Sequence, residues 1–453
     1  MGYERNSGVY FQKDRSMRDA GRIAAAIEVL DTILNRHQPV KEAMRDWGKA
    51  NRYAGSGDRA WISGLVLDSL RRKASVSFLM GEDTPRALVL GTLAHEWEMG
   101  PDAVAAIFEG DEHAPEPLTG AERAGMLAKL SGDAPLHARA EIPEWLAESF
   151  ERGFGADAAL EGSSMAGRAP VDLRVNTLKT DPEKAIGAVR AQINADPSEL
   201  LTTAIRIPGH DPRAKSPPAD AIPAYGKGWV EVQDIGSQIA ALAAAPVEGL
   251  QVLDFCAGAG GKTLALAALM NNTGQLYAWD YDWRRLRAIW PRLERAGVRN
   301  VQVRAGKEAE ALGDLAGKMD LVFIDAPCTG SGTWRRRPDT KWRLKDKALA
   351  TRITQQDEVL AKAAKYVRPG GRMVYVTCSV LPEENGDRID AFLSANPDFR
   401  AVPVMEALNA SGQLTEEGAL TLAACAGAHG ALQLTPARTG TDGFYVCGLE
   451  RVG

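Results

Sequence analysis

The chain has 453 residues, 45% hydrophobic and 25% charged, with 54 Lys+Arg against 59 Asp+Glu; that length suggests two to four domains with ample core. No run of 18 apolar residues offers a membrane span, and the polar start Met1-Gly-Tyr-Glu-Arg-Asn lacks the apolar segment of a secretion signal. Five scattered cysteines, odd in number and without a CxxC pair, argue against a disulfide framework or zinc site and for a reducing cytoplasm; the net charge of −5 argues, as an average, against nucleic acid.

The average hides a pattern. Residues 1–80 carry 14 basic and 9 acidic side chains, 101–150 carry 3 and 10, and 284–352 carry 17 and 8. A basic stretch can hold a polyanion even on an acidic chain. In chain order, the first ~130 residues read as a small helical bundle. Ile23, Ile27, Leu30 and Leu34 repeat at helical spacing, a second helix covers Asp58–Arg72, a third about Arg86–Trp97, and Gly110–Glu116 breaks the pattern. Between 139 and 235 a small α/β module is expected. It has a helix at Pro143–Phe150, a strand at Val171–Asn176, a helix at Asp181–Ala191, a loop at Pro208–Pro223 and a strand at Gly228–Gln233. From 236 onward, apolar runs (Val252–Phe255, Gln275–Trp279, Asn300–Val303, Leu321–Ile324, Arg372–Val376) alternate with helical stretches (262–270, 283–296, 351–367, 384–394). That alternation predicts a doubly wound, Rossmann-like α/β sheet, with Phe444–Leu449 as a last strand. The Pro-Gly-Gly at 369–371 is expected to stop a helix before its strand. The boundaries thus read as 1–138, 139–235 and 236–453.

The first strand of the sheet runs into Asp254-Phe-Cys-Ala-Gly-Ala-Gly-Gly-Lys-Thr263. A phosphate-cradling GxxxxGKT loop would need Gly where Cys256 stands, and a GxGxxG turn would need Gly at Thr263, so both fail. What remains is a glycine turn for a nucleoside-bearing cofactor without a pyrophosphate. Asp280, ending the second strand, is placed to accept both ribose hydroxyls; its competing role is a helix N-cap. Together they favour S-adenosylmethionine as the cofactor. Asp325-Ala-Pro-Cys328 and Thr377-Cys-Ser379 end two further strands, so an acid and two thiols converge on the same sheet edge, whereas Cys425 and Cys447 read as core. Such a set suits carbon 5 of cytosine, which is too weak a nucleophile until a thiolate adds at carbon 6. An acid must then stabilise charge at N3, and a base must remove the carbon-5 proton. No histidine stands near these motifs. Arg335–Arg337, Lys341 and Arg343 read as phosphate contacts, with Trp334 or Trp342 as a stacking partner or as core.

From Val171 onward the chain resembles the bacterial Sun/RsmB family of RNA (cytosine-C5) methyltransferases. The likeness rests on Leu173-Arg-Val-Asn-Thr177, Gln233-Asp-x-x-Ser-Gln238, the 254–263 loop, Asp325–Gly332, Arg336–Trp342, Gln356, Thr377-Cys-Ser379, Glu384-Asn385 and Gly440–Phe444. The resemblance implies an enzyme in which Cys378 is the nucleophile, Cys328 assists release and Asp325 contacts the target base beside the cofactor, with S-adenosylmethionine held by Cys256, Ala257, Gly258, Ala259, Gly260, Gly261, Lys262, Asp280 and Asp325. Residues 17–130, best at Gly57–Arg72, look similar to the NusB-like helical domain of the family's ribosomal-RNA members. That tilts the implied substrate to 16S ribosomal RNA over transfer RNA, for a cytoplasmic monomer. The loop departs from the family's Cys-Ala-Ala-Pro-Gly-Gly-Lys at Gly258 and Ala259. The family's third-strand Asp is replaced by Gly306-Lys307-Glu308, where Glu308 stands in or the adenine contact is lost. These departures motivate the rival reading, an RNA-binding or ribosome-assembly factor on a decayed methyltransferase fold.

Overall fold

A computed structural model describes residues 17–209, 219–245 and 247–453. The first sixteen residues and most of the expected 208–223 loop lie outside the described residues. The described chain divides into two compact units, one ending at Ala134 and one beginning at Pro135. The 139–235 stretch therefore shares a unit with the large sheet, although it carries a sheet of its own.

The first unit is helical: Asp19–Asn35, Val40–Ala50, Ser56–Arg71, Lys73–Met80, Pro85–His95, Pro101–Phe108 and Gly120–Leu127. In the first helix the buried side runs through Ile23, Ala26, Val29, Leu30 and Ile33, with Ile27 and Leu34 only half-buried. Small alanines take the packing face, which a count of large apolar residues misplaces. Asp58 joins the first and third helices by accepting from Arg22 Nη2 (2.7 Å) and from Gly55 N–H (2.9 Å). The basic close of the third helix is internally paired, Arg71 with Asp68 and Arg72 with Glu96, and a fourth helix follows it directly.

The second unit holds two sheets. Strands β1 (Val171–Val175), β2 (Asp196–Pro197), β3 (Ala204–Ile207) and β4 (Val230–Val232) form an antiparallel sheet in the order β2-β3-β1-β4. Leu173, Val175, Ile205 and Val230 form its core with Ala185 and Val189 of the helix Pro182–Arg190. Asp181 caps that helix by accepting from Lys184 N–H. The large sheet comprises β5 (Gln251–Asp254), β6 (Gln275–Trp279), β7 (Val301–Arg304), β8 (Met319–Asp325), β9 (Val367–Thr377), β10 (Phe399–Val402), β11 (Leu432–Leu434) and β12 (Phe444–Arg451). Its order is β10-β12-β9-β8-β5-β6-β7, with β11 also on β12. β7 through β9 are parallel and β12 runs antiparallel to β9 and β10. This is the expected doubly wound α/β fold. Strand order reverses between β5 and β8, which opens a ligand crevice at their carboxyl ends.

Two boundaries moved for definable reasons. The helix expected over 283–296 breaks into Trp283–Leu286 and Ile289–Ala296. Pro291 has no N–H, and its ring clashes with the carbonyl four residues back, at Arg287. The expected stop at 369–371 is an excursion inside β9: Val367 pairs with Met319 and Arg372 with Leu321, so the four residues between bulge out, with Gly370 at φ +69°. The helix before it ends at Ala363.

Candidate active site

The turn from β5 into the helix Gly261–Leu269 is shaped by residues without side chains. Gly258 and Gly260 adopt φ of +54° and +84°, and a Cβ on Gly260 would lie 2.3 Å from Ile289 Cγ1. Asp280, buried at the end of β6, accepts from Gly258 N–H (2.8 Å) through one oxygen and from Asp282 N–H (2.8 Å) through the other. The helix cap is instead Asp282, which accepts from Arg284 N–H. Each Asp280 oxygen retains a lone pair for a further donor. Where the sequence has Ala259 in place of a proline, Arg292 donates to the Ala259 carbonyl (2.8 Å). Arg292 is in turn bound to buried Glu231 on β4, which also binds Arg295. The small sheet thereby braces the loop from behind.

Asp254 is fully buried below this loop; one oxygen accepts from Thr263 Oγ1 (2.7 Å) and the other has no partner. Burial pushes its carboxyl up to about 7, with Asp325 and Asp280 adding to the shift against the bond from Thr263. Cys256 is pushed well above the usual thiol range by burial and by the neighbouring carboxylates, so it contributes as a neutral wall of the loop. The glycine cradle and the spare capacity of Asp280 fit a small cofactor with hydroxyl donors. Glu308 opens the helix Glu308–Leu312, and one of its oxygens is taken by the Tyr366 hydroxyl (2.9 Å), while Lys307 is exposed.

Asp325 ends β8 and binds Lys262 Nζ at 2.7 Å. Burial of the ammonium opposes its charge, yet Asp325 and Cys378 raise its pKa, so it stays protonated. The two thiols meet: Cys328 Sγ lies 3.3 Å from Cys378 Sγ. The contact with Cys378, with burial next, holds Cys328 well above the usual thiol range. Sequence reasoning brought these two together by strand ends alone.

What holds them in contact escaped it. Glu384 is fully buried and accepts four hydrogen bonds, from Thr329 N–H (2.8 Å), Thr329 Oγ1 (2.5 Å), Ser379 Oγ (2.5 Å) and Gln356 Nε2 (3.0 Å). Gln356 also donates to the Pro327 carbonyl, and Ser331 Oγ contacts Ser379 Oγ at 2.9 Å. One carboxylate therefore ties the loop after β8 to the end of β9. The signal was the Glu384-Asn385 pair, present in the resemblance but without an assigned task. Asn385 continues the network, accepting from Thr377 Oγ1 and donating to the Ser379 carbonyl.

Most of the expected phosphate contacts are corrected. Arg335 and Arg336 both bind Asp234 and Asp442, Arg335 being buried, and Lys341 is buried and donates to the Glu141 carbonyl. The two arginines neutralise buried acids and Lys341 is hydrogen-bonded to a backbone carbonyl, so all three are committed inside the fold. Arg343 pairs with Asp339, which leaves Arg337 the exposed member of its run. Trp334 is core, 1% exposed and stacked on Phe150 at 6.3 Å; Trp342 is half-buried beside Lys341 Nζ.

Comparison with known proteins agrees with this geometry. A family profile described as 16S rRNA methyltransferase RsmB/F matches residues 241–450. Ribosomal RNA small subunit methyltransferase B of Citrobacter koseri is 33% identical over 275 residues, covering 60% of this chain and 62% of that protein, so the chain spans less than two thirds of that relative's length. The probable ribosomal RNA small subunit methyltransferase B of Synechocystis is 30% identical over 314 residues, 68% of this chain and 67% of that protein. Among solved structures, PH0851 superposes with a TM-score of 0.69 at 26% identity, covering 95% of this chain and 99% of its own. A methyltransferase homolog protein from Pyrococcus horikoshii gives 0.56 at 26%, covering 71% of this chain and 100% of its own.

Proposed function

Since the chain belongs to the RsmB/F family of rRNA methyltransferases, we propose that it methylates carbon 5 of a cytosine in RNA, with S-adenosylmethionine as donor and small-subunit 16S ribosomal RNA as substrate. The observation that carries this reading is the pair of thiols 3.3 Å apart beside the Lys262–Asp325 ion pair, at the carboxyl edge of a doubly wound sheet.

Residues 256–262 would hold the cofactor, with Asp280 accepting from its ribose hydroxyls. When bound, S-adenosylmethionine supplies an electrophilic methyl group. The target cytosine, flipped or already unpaired, presents its ring edge to the thiols. Cys378 adds through sulfur to carbon 6, which makes carbon 5 nucleophilic. Lys262, an ammonium that faces both Cys378 and Asp325, holds a proton beside the Asp325 carboxylate. The acid–ammonium pair then meets the negative charge that develops at N3, where a lone carboxylate would repel it. Once the Cys378 sulfur is bound to carbon 6, the contact that held Cys328 as a thiol is gone. Cys328 then gives its proton to solvent and, as a thiolate, takes the carbon-5 proton after methylation. The double bond between carbons 5 and 6 re-forms, Cys378 leaves with the electron pair of the carbon–sulfur bond, and N3 returns its proton to the Lys262–Asp325 pair. Glu384 keeps the two sulfurs in register throughout.

Trapping distinguishes the roles. Cys328→Ala, incubated with RNA and cofactor, accumulates a protein–RNA adduct stable on denaturing gels, and Cys378→Ala forms none. An adduct from Cys378→Ala, with none from Cys328→Ala, would reverse the assignment. Absence of cofactor binding in calorimetric titration of the wild-type protein would favour a non-catalytic RNA-binding factor.

A further inference from the structure

With Arg335, Arg336 and Lys341 turned inward, the basic 284–352 stretch offers its accessible charge elsewhere. Three aromatic side chains stand exposed within ten residues directly after Asp280: Tyr281 at 92%, Trp283 at 54% and Trp290 at 57%. The two short helices here bury Leu286, Ile289, Leu293 and Ala296, so positions 283, 287 and 290 share the opposite side. Arg287 is exposed, lies 5.4 Å over the Trp283 ring and has no carboxylate partner among the described residues. Arg284 is bound to Asp282, and exposed Glu294 marks the far end.

The pattern continues onto the small sheet. Arg295, at the end of the same helix, lies 4.0 Å over Tyr225. Just beyond, Trp229, half-buried with one side packed on the core of the small sheet, is flanked by the exposed ammonium groups of Lys184 (4.8 Å) and Lys227 (4.7 Å). Arg295 is itself held by Glu231, but the exposed Arg287, Lys184 and Lys227 form no ion pair among the described residues, and indole rings interleaved with such cations match the alternation of bases and phosphates in an unpaired strand. A protein partner would ask for contiguous apolar area, whereas here Arg287 lies over Trp283 and two ammonium groups flank Trp229.

We propose that Trp283, Arg287 and Trp290, continued by Lys227 and Trp229, form a surface that binds single-stranded RNA flanking the target cytosine. The proposal rests on the RNA reading above and names where on the chain the strand is held. Arg285 ties this surface to the cofactor site, its guanidinium lying 3.8 Å from Asp280 and 3.0 Å from where a Cβ on Gly258 would stand.

The test is fluorescence anisotropy with a labelled single-stranded fragment of small-subunit rRNA, alongside methyl transfer to the same fragment. Trp283→Ala with Trp290→Ala should weaken binding about tenfold or more and raise KM for RNA while kcat holds. Arg287→Ala should lower the salt dependence of log Kd by about one unit. Cofactor affinity should not move in either variant, and Leu420→Ala, at an exposed apolar residue elsewhere, should behave as wild type. Unchanged RNA affinity in the double variant overturns the proposal, as does a wild-type dimer in sedimentation that the double variant dissolves without loss of RNA affinity. If the wild type transfers no methyl group yet binds RNA in a Trp283- and Trp290-dependent way, the surface stands and the methyltransferase reading fails.

Discussion

Asp254 offers a quantitative check on the electrostatics beneath the cofactor loop. Its carboxyl is pushed up to about 7 from 3.8, chiefly by burial, and one oxygen has no partner. A raised carboxyl pKa means that the folded protein binds a proton which the unfolded chain has already released. The stability this gives is fully present below about pH 4, falls as pH rises towards 7, and is lost above it. At about 1.4 kcal/mol per unit, the two units between pH 5 and pH 7 correspond to about 3 kcal/mol. Asp254→Asn keeps an oxygen for Thr263 and cannot ionise. Relative to wild type, the variant should therefore gain about 3 kcal/mol between pH 5 and pH 8. The assay is urea denaturation of both proteins across that range, with the difference between them cancelling every other titrating group. A difference that stays flat with pH, or slopes the other way, refutes the assignment of a buried protonated acid.

Other outcomes follow from the same geometry. Glu384→Ala leaves Thr329 N–H and Gln356 Nε2 without their acceptor, at a cost of about 2–6 kcal/mol from two unpaired donors. Glu384→Gln should cost less, because the Thr329 and Ser379 hydroxyls can rotate to accept; denaturation midpoints and adduct yield rank the two. Gly260→Ala places a methyl group 2.3 Å from Ile289 at φ +84° and should weaken cofactor binding about tenfold or more by calorimetry, as the turn is forced open. Trp334→Ala should cost about 3–5 kcal/mol of stability, whereas Arg337→Ala, at an exposed position, should leave the denaturation midpoint within about 0.5 kcal/mol.

The parallel sheet was legible because its central strands β5, β8 and β9 are buried on both faces and read as short apolar runs between helices. For β6 the expected range matches residue for residue. The site was legible where chemistry sits at strand ends: Asp325, Cys328 and Cys378 meet as the topology requires. What was not legible depends on partners distant in sequence. Arg335 and Arg336 look like phosphate contacts until Asp234 and Asp442 are brought to them from about a hundred residues away on either side. Glu384 looks like one more surface acid until Thr329 folds onto it from 55 residues away. The brace from Glu231 through Arg292 to Ala259 spans two sheets, and no local pattern announces it. Trp334 and Trp283 are one residue type in equally basic surroundings; packing on Phe150 separates core from surface.

The central claim is methyl transfer to carbon 5 of cytosine through Cys378. Purified protein incubated with labelled S-adenosylmethionine and small-subunit ribosomal RNA, followed by digestion to nucleosides, tests it most directly. The account predicts label in 5-methylcytidine, abolished by Cys378→Ala. Label in any other nucleoside, or undiminished 5-methylcytidine from Cys378→Ala, would contradict it.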